Sequence, residues 1–169
     1  MINSFKHKKI HNFLFYQTHP RAHEILNPPV PTALPIPGGC VPGKLIQIHG
    51  SVPHHGGRFD INLQQSGQVP YPPNMGLHFN PRWNDPYVGQ VVVRTNCQGG
   101  GWGPEDREHS AFPFAKGAPF EILILVEAGE FKVAVNGQHF ISFPHRMPFQ
   151  LNDHISFNGD VVINAVRFF

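Results

Sequence analysis

The stretch EFKVAVNGQHFISF, Glu130–Phe143, decides the class of fold. Asn136-Gly137, the dipeptide preferred in type I′ turns, is flanked on both sides by strand-forming residues, so the segment reads as a β-hairpin. Upstream, EILILVE, Glu121–Glu127, is a continuous apolar run and reads as a strand buried on both faces. RFDINLQ, Arg58–Gln64, alternates cleanly: Phe59, Ile61 and Leu63 point one way, and Arg58, Asp60, Asn62 and Gln64 the other. ISFNGDVVINAVRFF, Ile155–Phe169, reads as a second hairpin turning at Asn158-Gly159. No helix of three turns is legible after Lys44. Short strands and tight turns predict an all-β fold, an antiparallel two-sheet β-sandwich.

Composition agrees. The 169 residues suit one domain. With 17 glycines and 18 prolines, about a fifth of the chain punctuates strands and turns, which argues against an all-helical fold. No apolar run approaches the ~18 residues of a membrane span, so no direct membrane insertion is expected. The 13 basic and 11 acidic residues give +2, but Lys6, Lys8, Lys9 and Arg21 face only Glu24 within residues 1–24. The basic surplus belongs to that end, and the remainder is slightly acidic, so a nucleic-acid partner is not expected. Cys40 and Cys97 read as two free thiols of a reducing compartment.

Residues 1–26, rich in His and Lys and without a period, read as a flexible or loosely docked tail, and residues 27–169 as the domain. The pairs His7/His11 and His19/His23 have helical spacing for a metal, but Pro20 breaks the helix there and no metal site is expected. NPPVPTALPIPGG, Asn27–Gly39, is held extended by its prolines and suits an edge strand or a surface run. No secretory signal is expected.

The chemistry concentrates in GLHFNPRW, Gly76–Trp83. On a strand, Leu77 and Phe79 share the core face, while His78, Asn80 and Arg82 line the other, about 6–7 Å apart. An imidazole, a carboxamide and a guanidinium in one row hold hydrogen-bond donors and acceptors at fixed spacing, although the same row describes an ordinary solvated sheet face. The following QVVVRTN puts Arg94 and Asn96 on one face, and Val93 and Thr95 on the other. In CQGGGWGPEDRE, glycines strip side chains from around Trp102, which suits an exposed aromatic platform. Glu105 and Arg107 face the same way if the chain is extended there, and Asp106 the opposite way. The GGG run lacks the Gly-Lys-Ser/Thr ending of a phosphate loop.

Together these residues resemble the carbohydrate-recognition domain of the galectins. The pattern stands here as His78-Phe79-Asn80-Pro81-Arg82, Asn96, and Trp102-Gly103-Pro104-Glu105-Asp106-Arg107, with PIPGG, RFDINL, FEILILVE, FKVAVNGQHF and His145-Arg146 also similar to the family. The resemblance spans about Asn27–Phe169. Departures are Trp83 where the family commonly has Phe, a longer stretch before Asn96 and a shorter one after it.

The resemblance implies a jelly-roll sandwich and a non-catalytic, metal-independent lectin for β-galactosides, with no cofactor. His78, Asn80 and Arg82 would surround the axial 4-hydroxyl that distinguishes galactose from glucose. An equatorial hydroxyl would leave buried groups unpaired at ~1–3 kcal/mol each. Trp102 would stack on the apolar sugar face, Asn96 and Glu105 would take the 6-hydroxyl, and Arg82 and Arg107, held by Glu105, would reach the neighbouring sugar. Arg58, Asp60 and Asn62 would form an extended subsite. Sugar affinity is expected to fall on acidification through Glu105 and His78.

The competing readings are an interaction module of the same fold with lost or altered glycan specificity, and a glycosidase. The glycosidase needs two carboxyls facing each other across the scissile bond, an arrangement that Glu105 and its neighbours do not offer. The expected partners are galactoside-bearing glycans and a second copy of the chain as a homodimer. The expected location is the cytoplasm, with non-classical export to the cell exterior.

Overall fold

The structure, a computed structural model, describes residues 23–169. Twelve strands form two antiparallel six-stranded sheets. The first contains, in spatial order, β1 (His23–Leu26), β12 (Val162–Phe168), β3 (Leu45–Ser51), β8 (Pro119–Val126), β9 (Glu130–Val135) and β10 (Gln138–Pro144). The second contains β2 (Thr32–Pro35), β11 (His154–Gly159), β4 (Phe59–Gln64), β5 (Met75–Asp85), β6 (Gly89–Gln98) and β7 (Gly101–Trp102). One 3-10 turn, Phe149–Leu151, precedes β11. The expected antiparallel β-sandwich is therefore present.

The core lies between the sheets. Phe59, Ile61 and Leu63 of β4, Leu77 and Phe79 of β5, and Ile155 and Phe157 of β11 meet Ile46, Ile48, Ile122, Ile124, Phe131 and Val133 of the opposite sheet. Alternation sends their neighbours outward. The outer face of the second sheet consequently carries Asp60, Asn62, Gln64, His78, Asn80, Ser156 and Asn158, all buried and hydrogen-bonded to one another or to the backbone. The run at β8 is buried on both faces as its sequence predicts. Ile122, Ile124 and Val126 enter the core, while Leu123 and Leu125 form a smaller outer cluster with Ala134 and Leu45.

Asn136 (φ 49°) and Gly137 (φ 85°) both occupy the left-handed region, as a type I′ turn requires, and join β9 to β10. The turn at Asn158-Gly159 is different and corrects the expectation of a hairpin there. Its flanking strands lie in opposite sheets, β11 beside β2 and β4, and β12 beside β1 and β3. Of that pair only Gly159 (φ 88°) is left-handed, and a Cβ there would lie 2.7 Å from the Arg58 carbonyl oxygen. The bend carries the chain across the sandwich instead of returning it beside itself.

Of the expected tail, residues 23–26 are described. His23–Leu26 is a strand whose four residues pair with Phe168, Arg167, Val166 and Ala165. Ile25 packs on the core and Glu24 ion-pairs with Arg167. Four residues carry too little pattern to be read as a strand without their partner. The rest of the expected tail, including His7, His11 and His19, lies outside the described residues. Thr32–Pro35 is an edge strand of the second sheet, as the proline-rich sequence predicts. Cys40 and Cys97 are free and buried, and burial pushes the Cys40 thiol up to about 12.

Candidate functional site

The outer face of β4–β7 holds a groove of about 370 Å³ lined by Arg58, Tyr71, His78, Arg82, Thr95, Trp102 and Glu105. Two bordering segments complete it. Beyond β7 the chain doubles back beside β6, where Asp106 and Arg94 exchange backbone hydrogen bonds of 2.7 and 2.9 Å. That extended pairing turns Glu105 and Arg107 toward the groove and Asp106 away, onto Arg146 at 3.1 Å. The loop between β4 and β5 brings in Tyr71.

His78 lies opposite Asn62 on β4 and Thr95 on β6. Its Nδ1 meets Asn62 Oδ1 at 2.5 Å, and the network beneath it fixes the direction of that bond. Gln64 Nε2 donates to the carbonyl oxygens of Ser66 and Gln68, so Gln64 Oε1 must accept. Ser156 Oγ therefore donates to Oε1 at 2.6 Å and accepts from Asn62 Nδ2 at 3.0 Å. The other Nδ2 hydrogen goes to the Asp60 carboxylate at 2.8 Å. Asn62 Oδ1 is thus an acceptor, the His78 proton sits on Nδ1, and Nε2 is an acceptor. Burial first, and then Arg58 and Arg82, hold His78 below its ordinary 6.5 against the pull of Asp60.

Charge is organised at the other end. Glu105 lies 2.7 Å from Arg107 and 3.8 Å from Arg82. Asp85, buried at the end of β5, lies 2.9 Å from Arg107 and 3.6 Å from Arg82. The Arg107 bond holds the Asp85 carboxyl below the usual carboxylate range and, together with Glu105, pushes Arg107 up. Two carboxylates shared between two guanidiniums fix the direction of the Arg82 N–H groups.

Of the residues expected from the sequence, His78, Arg82, Trp102 and Glu105 line the groove, with Arg107 braced against Glu105. Trp102 is half exposed, its ring centroid 4.8 Å from that of His78. Asn80 lies beneath: it is inaccessible to solvent, donates to Phe59 O, and accepts from Arg58 Nη2 at 3.0 Å and Arg82 Nε at 2.8 Å. Its position corrects the expected direct contact, because the side chain aims two guanidiniums instead. The expected subsite trio divides in the same way. Arg58 is exposed in the groove, whereas Asp60 and Asn62 are buried supports whose polar atoms bond internally.

Asn96 requires a larger correction. Thr95, not Asn96, pairs with His78 and shares its face, so alternation turns Asn96 away from the groove. Asn96 Oδ1 accepts from Arg146 at 3.3 Å and abuts Gly103, where a Cβ would overlap it. Thr95 Oγ1 lies 2.9 Å from Gly103 O and 3.1 Å from Pro104 O, so its one hydrogen is committed and only acceptor capacity faces the groove. Thr95 and Tyr71 are the two lining residues the sequence reading omitted. The parity of Thr95 with Val93 was legible, but its place opposite His78 was not.

The family model for galactoside-binding lectins matches residues 31–168. Human galectin-4 is 39% identical over 142 residues, 84% of this chain and 42% of that protein. Mouse galectin-3 is 39% identical over 139 residues, 82% of this chain and 50% of that protein. The chain thus spans about half or less of the length of these relatives. Among solved structures, Caenorhabditis elegans galectin LEC-6 superposes with a TM-score of 0.74 at 29% identity, covering 86% of this chain and 95% of that one. The homodimeric agglutinin CG-16 from chicken liver gives 0.69 at 26% identity, covering 88% and 100%.

Proposed function

Because the chain belongs to the galectins, the galactoside-binding lectin family, we propose that its groove binds terminal β-galactosides of the lactose and N-acetyllactosamine type without catalysis. The observation that carries this reading is the fixed polarity around His78. His78 Nε2 accepts while Arg82 and Arg58 donate, so a hydroxyl placed among them is asked to donate and accept at once. The axial 4-hydroxyl of galactose does both while the ring's C–H face rests on Trp102. An equatorial hydroxyl points elsewhere and leaves desolvated groups unpaired, at ~1–3 kcal/mol each.

The remaining lining groups take the rest of the ligand. Thr95 Oγ1 accepts the single hydrogen of the 6-hydroxyl, in the place expected of Asn96, while Glu105 holds Arg82 and Arg107 beside it. Arg82 and Arg107 reach the second sugar, and exposed Arg58 takes any extension on the β4 side. Glu105 is engaged by two guanidiniums, which suits an acceptor and not a proton donor, and Asp106 faces Arg146. Self-association would supply a second site for crosslinking glycans, and light scattering of the purified protein reads it directly.

The test is retention on immobilised lactose with competition by free sugars. Elution by lactose at concentrations where glucose and cellobiose do nothing supports the reading. Passage through the column, or elution by both sugar classes alike, rejects it and favours an interaction module with other specificity.

A further inference from the structure

Tyr71 stands on the loop between β4 and β5 and lines the groove beside His78 and Trp102. The three ring planes form a corner. Tyr71 meets Trp102 at 5.7 Å and 75° and His78 at 6.0 Å and 80°, and His78 meets Trp102 at 4.8 Å and 64°. Tyr71 is 40% exposed, yet it is fastened: its hydroxyl donates to Asp60 Oδ1 at 3.1 Å. Asp60 is itself 2% exposed, and its second oxygen accepts from Asn62 Nδ2 at 2.8 Å and Asn158 Nδ2 at 2.9 Å. Burial, followed by the neighbouring Asp60, pushes the phenol up from its ordinary value of 10.0, so it stays a donor. Tyr71 takes no part in the hydrophobic core, so core packing does not account for an aromatic ring anchored at the mouth of the groove.

We propose that Tyr71 is a second sugar-contacting wall of the groove, anchored by Asp60 and touching the same ring as Trp102. A pyranose offers an apolar C–H face and an apolar edge. Two aromatic walls set nearly at right angles meet both, whereas Trp102 alone meets one. The Asp60 bond removes the rotamer freedom that an exposed tyrosine would otherwise lose on binding. Tyr71 adjoins His78 and Trp102, the two groups that the reading above sets against the galactose, so the contact belongs to that sugar and not to the second one. This inference rests on the galactoside reading above.

Calorimetry of the full chain with methyl β-galactoside and with lactose tests it, using Tyr71→Ala and Tyr71→Phe. The expected result for Tyr71→Ala is a loss of about five- to tenfold for both ligands by the same factor. Tyr71→Phe keeps the ring and should lose less. Saturation of tyrosine ring protons in the wild-type protein should reach the C–H protons of the bound galactose. Tighter binding by Tyr71→Ala overturns the proposal and makes the ring a cover that the ligand displaces. A loss confined to lactose also overturns it, placing Tyr71 against the second sugar. Failure of the wild-type protein to bind either galactoside rejects the galactoside reading and this wall with it. Wild-type binding with an unaffected Tyr71→Ala rejects the wall alone.

Discussion

Replacing Asn62 by Leu keeps its branched shape and removes its hydrogen bonds, and the consequence follows from the network. Asn62 donates to Asp60 and Ser156 and accepts from His78 Nδ1. Asp60 keeps its bonds to Asn158 and Tyr71, and Ser156 keeps its bond to Gln64, so neither is orphaned. His78 Nδ1 loses its protein acceptor. Three bonds at a net ~1 kcal/mol each, in a residue with no solvent access, put the stability loss at about 2–4 kcal/mol, read by urea denaturation. The imidazole can relieve its stranded N–H by moving the proton to Nε2. The group facing the sugar then donates to a hydroxyl that already accepts from Arg82, and one hydrogen bond is lost. About tenfold weaker lactose binding is expected, equivalent to ~1.4 kcal/mol. Nitrogen-15 spectra of the labelled histidine ring should show protonation moving from Nδ1 to Nε2. A folded Asn62→Leu protein that keeps the Nδ1 proton and binds lactose within twofold of wild type refutes the reasoning.

Thr95→Val should weaken lactose about three- to tenfold while leaving the affinity for a 6-deoxygalactoside unchanged, because only the acceptor for the 6-hydroxyl is removed. Asn96→Ala should show no such coupling to the 6-position, which a two-ligand calorimetric cycle reads. Arg82→Ala and Trp102→Ala should each reduce lactose affinity at least a hundredfold, while their circular dichroism stays that of the folded domain, since Trp102 is half exposed and Arg82 lies outside the core. The pH profile follows from His78, whose folded-state value is lowered. The unfolded chain takes up the proton first, so its contribution to stability is lost as pH falls through 6.5 and levels off below the folded value. Lactose affinity should hold from pH 8 through 6.5 and drop only below it, and a midpoint above 6.5 in a titration of affinity contradicts the burial of His78. The Cys40 thiol, pushed up to about 12 by burial, should resist iodoacetamide in the native protein at pH 8 and react once unfolded, as mass spectrometry of the alkylated peptide reads.

What was legible in the sequence is what a single strand decides for itself. Alternation sorted Phe59, Ile61 and Leu63 from Asp60, Asn62 and Gln64, and it set His78, Asn80 and Arg82 on the face opposite Leu77 and Phe79. The Asn136-Gly137 turn was equally local, because two left-handed residues in succession define it. The opposed directions of Glu105 and Asp106 followed from the same period of two. Trp83, whose parity matches Phe79, is buried in the core beside Phe59 as that parity implies.

Tertiary structure decided whatever depends on how one strand lies against another. Register between β5 and β6 shifts on both sides of the His78–Arg82 row, so residue counting does not carry across it. That shift is why Thr95 and not Asn96 stands opposite His78. Burial on an outward face was likewise illegible, since only the neighbours β5 and β11, with the Tyr71 loop, turn Asp60 and Asn62 from surface groups into a bonded support. Gly159 shows the same division: the residue announces a bend, and the sheet that each flanking strand joins determines that the bend crosses the sandwich. Side-chain direction is a property of the local backbone, whereas partners are chosen by the sum of contacts over the whole sheet.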